Sequence, residues 1–188
     1  MAHKYRNALR SQAMIRQAFV ELLAERPLEK ITVAEIVSRA DLCRNTFYAH
    51  YQDVYAVMEE LENEVLQRFE QALNEAVAHE NLSDPLPFVR MMAEAVAENG
   101  MMLRLLFRGS RADVLVGRLK ATLVGKIHTH VDTAGIRDEQ GFLLMVDMLS
   151  AGFVHLFREY LHGQTKATPE EIAEAINRVY KAAVPLYK

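Results

Sequence analysis

The chain has 188 residues, 51% of them apolar, a net charge of −3 and one cysteine. That apolar share excludes a disordered chain, one cysteine leaves no intrachain disulfide, and no apolar run reaches the ~18–20 residues that span a bilayer. The start, MAHKYRNALRS, is basic but lacks the apolar segment of a secretory signal, so a cytoplasmic protein with no membrane partner is expected.

Taken in order, Met1–Leu9 reads as a frayed tail whose Lys4 and Arg6, with Arg10 just beyond, either reach phosphates or stay solvated. A helix over Gln12–Glu25 follows, with Ile15, Ala18, Phe19, Leu22 and Leu23 on one stripe, and Pro27 stops it. Ile31, Ile36, Val37, Leu42 and Phe47 offer that stripe an apolar partner, which predicts a three-helix head. Thr32 and Glu35 make a capping box at the start of a short helix that ends near Ala40-Asp41. A turn leads to a second short helix, about Arg44–His50, in which Phe47 and Tyr51 face inward.

Arg44, Asn45, Thr46, Tyr48 and His50 are then left projecting outward. Such a face is poor for folding but suits phosphates and base edges. Helix, tight turn and polar-faced helix together make a helix-turn-helix. Charge agrees: residues 1–55 carry eight Lys/Arg against six acids, whereas the rest carries 14 against 19. Cys43, at the positive end of the second helix, either reports oxidation as a thiolate or stands in for an ordinary cap.

The run TVAEIVSRADLCRNTFYAHYQD resembles the DNA-binding signature of TetR-type bacterial regulators. That signature is a threonine-capped helix, a small turn and a T-[FL]-Y-x-H-[FY] core, which Thr46–Tyr51 match at each defined position. AFVELLAERPLEKIT is similar to the family's first helix and the lead into its second. The resemblance covers about the first 55 residues, and beyond them it is one of helix pattern and length. Asp41-Leu42 departs from the commoner Gly-Val, Cys43 from a Ser-like cap, and Val54 from a lysine that many members carry. The resemblance implies that Tyr48 and His50 contact phosphates. Arg44, Asn45 and Thr46 are the candidates for base edges, Arg suiting guanine and Asn adenine; Thr32 completes the expected DNA-binding set.

Asp53 caps a fourth helix that runs to about His79, with Leu61 on its apolar stripe, and links a head of residues 1–53 to a body of residues 54–188. Helices are predicted at about Pro85–Glu98, Met101–Phe107, Ala112–Thr133 and Asp138–His162, with a last one opening on the capping box Thr168–Glu171. The fold class is therefore all-α, about nine helices. Phe142, Val146, Leu149, Phe153, Leu156 and Tyr160 form one stripe, and Leu144, Met148, Ala151 and His155 a second. With Ile172, Ile176, Val179, Ala183 and Leu186 on the final helix, Asp138–His162 and Thr168–Tyr187 predict a four-helix interface with a second copy, as the resemblance also implies.

The body holds Met91, Met92, Met101, Met102, Met145 and Met148, which suit either an adaptable pocket or an ordinary core. The expected ligand lining is Leu61, Met92, Val96, Leu103, Phe107, Leu123, Ile127, Met145 and Leu149, with His155 or Arg158 as polar anchor. His128 and His130 diverge on a helix, and the Glu159/His162 pair lacks the second copy that a di-iron bundle needs. No phosphate loop, zinc cluster or nucleophile elbow occurs, so no catalytic residue, metal or cofactor is expected and the chain does not read as an enzyme. The expected function is a homodimeric transcription regulator, a repressor released from a near-palindromic double-stranded operator by a small apolar effector. The alternative is a coactivator or partner-binding module derived from a helix-turn-helix that contacts protein instead of DNA.

Overall fold

The computed structural model describes residues 2–78, 91, 94, 100–130 and 135–187, with the side chains of 2–5, 76–78, 127 and 130 outside that description. Among the described residues the regular structure is all helical: α1 (Ala2–Glu25), α2 (Val33–Arg39), α3 (Arg44–Tyr48), α4 (Val54–Ala78), α5 (residues 100–108), α6 (Ala112–His130), α7 (Glu139–Leu161) and α8 (Pro169–Ala183). Short 3-10 turns lie at Leu28–Lys30 and Val184–Tyr187. The all-α architecture is the one expected. The helix predicted at Pro85–Glu98 falls mostly outside the described residues. The chain divides into two compact units, Met1–Glu64 and Val65–Lys188.

In the first unit α1 begins ten residues before the predicted Gln12. The frayed tail is instead helical, because AHKYRNALRS contains no Gly or Pro and is rich in good helix formers. Ile15, Ala18, Phe19 and Leu22 are buried on α1, which packs against α2 and α3. Thr32 then caps α2 with the reciprocal bonds of a capping box: its hydroxyl accepts from the Glu35 N–H at 3.3 Å, and the Glu35 carboxylate accepts from the Thr32 N–H at 3.0 Å.

The stop of α2 is a Schellman turn. Leu42 N–H donates to the Val37 carbonyl at 2.9 Å and Asp41 N–H to that of Ser38 at 3.5 Å. The turn needs one residue in the left-handed region, and Asp41 occupies it at φ 52°. Aspartate tolerates that conformation better than other side chains except asparagine, which is why it can stand where glycine is commoner.

α3 is shorter than predicted, and His50 lies in the tight turn after it, its N–H donating to the Phe47 carbonyl at 2.9 Å. Asp53 caps α4 as expected, accepting from Ala56 N–H at 2.9 Å. Val54, Val57, Met58 and Leu61 are buried on its first turns.

The second unit is built on contacts of α6 with α7 and of α7 with α8. Leu115, Leu119 and Leu123 of α6, Phe153, Val154, Phe157 and Leu161 of α7, and Ile172 and Ala173 of α8 are buried. Arg158 donates to Asp113 at 2.7 Å and His162 Nε2 lies 3.0 Å from the Phe107 carbonyl, which fixes the end of α7 against α6 and α5. At the other end Phe142, Met145 and Val146 pack with Leu149, Tyr180, Ala183, Val184 and Tyr187. Tyr187 reaches back to α7: its carbonyl accepts from Arg137 N–H at 2.7 Å and its ring meets Phe142 edge-on at 6.1 Å.

By length and composition α7 is apolar enough to cross a membrane, a test that a core helix also passes, although isolated polar residues keep any uninterrupted apolar run in it short. Its apolar side chains divide between the buried face and an exposed stripe that includes Leu144 and Met148.

Candidate nucleic-acid interface

α3 stands on an aromatic root. Phe47 is fully buried, Tyr51 nearly so, and the two rings are 5.8 Å apart. Burial also holds the Tyr51 phenol protonated far above its ordinary range. With the root fixed, Arg44, Asn45 and Tyr48 project outward; Tyr48 is 58% exposed, with its ring edge-on to Phe47 at 5.6 Å. Arg44 and Asn45 make no side-chain hydrogen bond among the described residues, so both keep their full donor sets for a ligand.

The other three predicted residues are engaged within the head. Thr46 Oγ1 lies 3.1 Å from Cys43 Sγ, and that contact draws the Cys43 thiol below its ordinary range. Thr32 donates its hydroxyl proton to Glu35 at 2.8 Å and so shapes the start of α2. His50 Nε2 sits 2.8 Å from Ser11 Oγ on α1.

Burial and pairing also sort the cations of the head, which counting charges along the chain could not do. Arg16 pairs with Glu60 and Glu64, Arg26 with Glu25 and Glu35, and Arg39 with Glu25. The Arg39 guanidinium, then that of Arg26, hold the Glu25 carboxyl below its usual range. Arg6, Arg10, Lys30 and Arg44 have no acidic partner among the described residues. Val54, at the position of the missing lysine, is only 7% exposed and belongs to the core of the first unit.

The expected ligand lining is described only in part. Leu61 belongs to the first unit, where it is buried. Leu103, Phe107 and Leu123 are buried in the second. Met145 and Leu149 are packed against α8 and the C-terminal turn, His155 is exposed, and Arg158 is paired with Asp113. Met92, Val96 and the side chain of Ile127 lie outside the described residues. A shallow groove of about 450 Å³ does occur, but in the head, lined by Arg10, Ala13, Met14, Gln17, Ala18, Glu21, Arg39 and Ala40. The sequence held no signal for it beyond the small residues Ala13 and Ala18 of α1.

Comparison with known proteins agrees with this architecture. No family model matches the chain. A stretch of 69 residues, 37% of the chain, is 28% identical to the uncharacterized HTH-type transcriptional regulator YxbF of Bacillus subtilis strain 168, and this stretch spans only 18% of that protein. Among solved structures, the dihydroxyacetone kinase operon activator DhaS is 14% identical, with 95% of this chain and 98% of that one aligned at a TM-score of 0.60. The fatty acid degradation regulator FadR from Bacillus halodurans is also 14% identical, with 90% and 93% aligned at 0.64. The TetR family repressor AlkX from a Dietzia strain aligns at 0.45, with 15% identity over 93% and 97%. The chain has the all-α fold of DhaS and FadR, with a helix-turn-helix at its head.

Proposed function

We propose that this chain is a sequence-specific DNA-binding transcription regulator that acts in the cytoplasm as a homodimer. The observation that carries the reading is the trio Arg44, Asn45 and Tyr48, exposed on a helix whose buried root, Phe47, leaves them no role in the core. A guanidinium and a carboxamide side by side are the donors that read guanine and adenine in the major groove. A phenol beside them suits a phosphate. In this reading residues 1–53 bind DNA, and residues 54–188 dimerise and take up an effector.

Dimerisation through α7 and α8 is supported by the exposed apolar stripe of Leu144 and Met148 and by the exposed Val179 on α8. Two copies then present their α3 helices to successive major grooves of a near-palindromic operator. The chain acts as a repressor, and a small apolar effector enters the second unit near Leu103, Phe107 and Leu123, favouring a form that binds DNA less well. The selected duplex is the test. Sequences recovered from a random DNA pool should share a two-fold motif, and Arg44→Ala should cost roughly 1–3 kcal/mol and relax one position of it. An unenriched pool would end this reading. Leu144→Glu with Met148→Glu should give monomers by sedimentation.

A further inference from the structure

We propose that Ser11, on α1, is a positioning residue that fixes the ring of His50 and makes its contact with DNA depend on protonation. The inference rests on the DNA-binding reading and adds a regulated contact to it. Ser11 Oγ has three neighbours: the carbonyls of Asn7 and Ala8, each at 3.0 Å, and His50 Nε2 at 2.8 Å. A hydroxyl has one proton, and a carbonyl can only accept. The assignment that satisfies all three contacts gives the Ser11 proton to the helix carbonyls and makes Ser11 the acceptor of an Nε2–H. His50 is thereby held as the Nε2–H tautomer, its ring set beside Tyr51 at a centroid distance of 6.2 Å.

The consequence falls on the other ring nitrogen. In that tautomer Nδ1 carries a lone pair, and no described residue bonds to it. A phosphate oxygen also has only lone pairs, so a neutral His50 has nothing to donate to it. When Nδ1 takes a proton from solvent, the imidazolium becomes a charge-assisted donor to phosphate. Each head that makes this contact therefore takes up one proton on binding. The ionisable groups on the surrounding elements include Arg6 and Arg10 on α1, Cys43 at the cap of α3, Arg44 and Tyr48 on α3, and Asp53 and Tyr55 at the start of α4. Of these the exposed Cys43 thiol is drawn below its ordinary range, so the measurement is made in a Cys43→Ser background too. His3 lies two turns before Ser11 on α1, and its side chain is outside the described residues.

The experiment measures affinity for the selected duplex between pH about 6 and about 8, at constant ionic strength and in a His3→Ala background. With His50 intact, affinity should fall as pH rises, by up to about tenfold per pH unit for each proton taken up. In Ser11→Ala the ring is free to carry its proton on Nδ1 while neutral, so the pH dependence should flatten. Ser11→Thr, which keeps the hydroxyl, should restore it, and His50→Gln should abolish it. Nitrogen NMR of the free protein should find the neutral His50 ring protonated on Nε2, and a proton on Nδ1 would overturn the assignment without any DNA. A uniformly weaker Ser11→Ala with an unchanged slope would make Ser11 merely structural. A background protein that binds DNA with a flat profile overturns this inference alone; one that binds no DNA at any pH overturns the DNA-binding reading and this inference with it.

Discussion

The division of head cations into paired and unpaired can be tested through salt. Each phosphate neutralised releases counterions, so the logarithm of affinity falls with the logarithm of salt by about 0.9 per contact. Arg10, exposed on α1, has no acidic partner among the described residues, whereas Arg39 is neutralised by Glu25 and Arg26 by Glu25 and Glu35. As a phosphate contact in both heads of a dimer, Arg10 replaced with Ala should flatten the slope by about 1.8, twice the single-contact value. Over a fourfold rise in salt, this spares the variant about a twelvefold loss of affinity that the wild type suffers. Arg39→Ala should leave the slope where it was, because that guanidinium already has its counter-charge. Titrating a labelled duplex by fluorescence anisotropy at several salt concentrations gives the slopes directly. If Arg39→Ala or Arg26→Ala flattens the slope as much as Arg10→Ala does, cations paired in the free protein let go of their carboxylates to meet DNA, and the sorting fails.

Three stability predictions follow from the backbone. Asp41→Val puts a β-branched side chain at φ 52° and should cost about 1–2 kcal/mol in chemical unfolding, while Asp41→Asn should be nearly neutral. Gly141→Ala should cost about 1–3 kcal/mol, since a Cβ there meets Asp138 Cγ at 2.8 Å and Tyr187 Cε1 at 3.0 Å; an unchanged midpoint would mean that the C-terminal turn yields freely. Thr32→Ala should cost about 1 kcal/mol by removing the cap of α2. The bond from Thr32 also holds the Glu35 carboxyl below its ordinary value. A carboxyl lowered in the folded state stabilises fully above its unfolded pKa and loses that contribution as pH falls through the folded value. The cost of Thr32→Ala should therefore be smaller in acid than at neutral pH, and a cost independent of pH would refute the role of Glu35 in the cap.

Much of the head was legible because its signals are local. A capping box needs two residues three apart, and the aromatic root needs Phe47 and Tyr51 one turn apart. Side-chain partners far along the chain were not legible. Ser11 and His50 are 39 residues apart, and Arg16 and Glu64 are 48 apart, so nothing in the local pattern marked either pair. Helix α1 was predicted too short because its hydrophobic periodicity begins only at Ile15, whereas the backbone follows propensity back to Ala2. In the body, periodicity picked out apolar faces but could not say what each face meets. Met145 and Leu149 were read as pocket lining, and their packing with the C-terminal residues was not visible in that pattern.

That C-terminal packing has a practical side. The carbonyl of Tyr187 is bonded to the backbone just before α7, and its ring covers Phe142. Trimming the chain at Val184 would remove the acceptor of the Arg137 N–H just before α7 and lay Phe142 open to water. Any fusion that follows Tyr187 therefore begins beside that seam, and a spacer ahead of it keeps the ring of Tyr187 on Phe142.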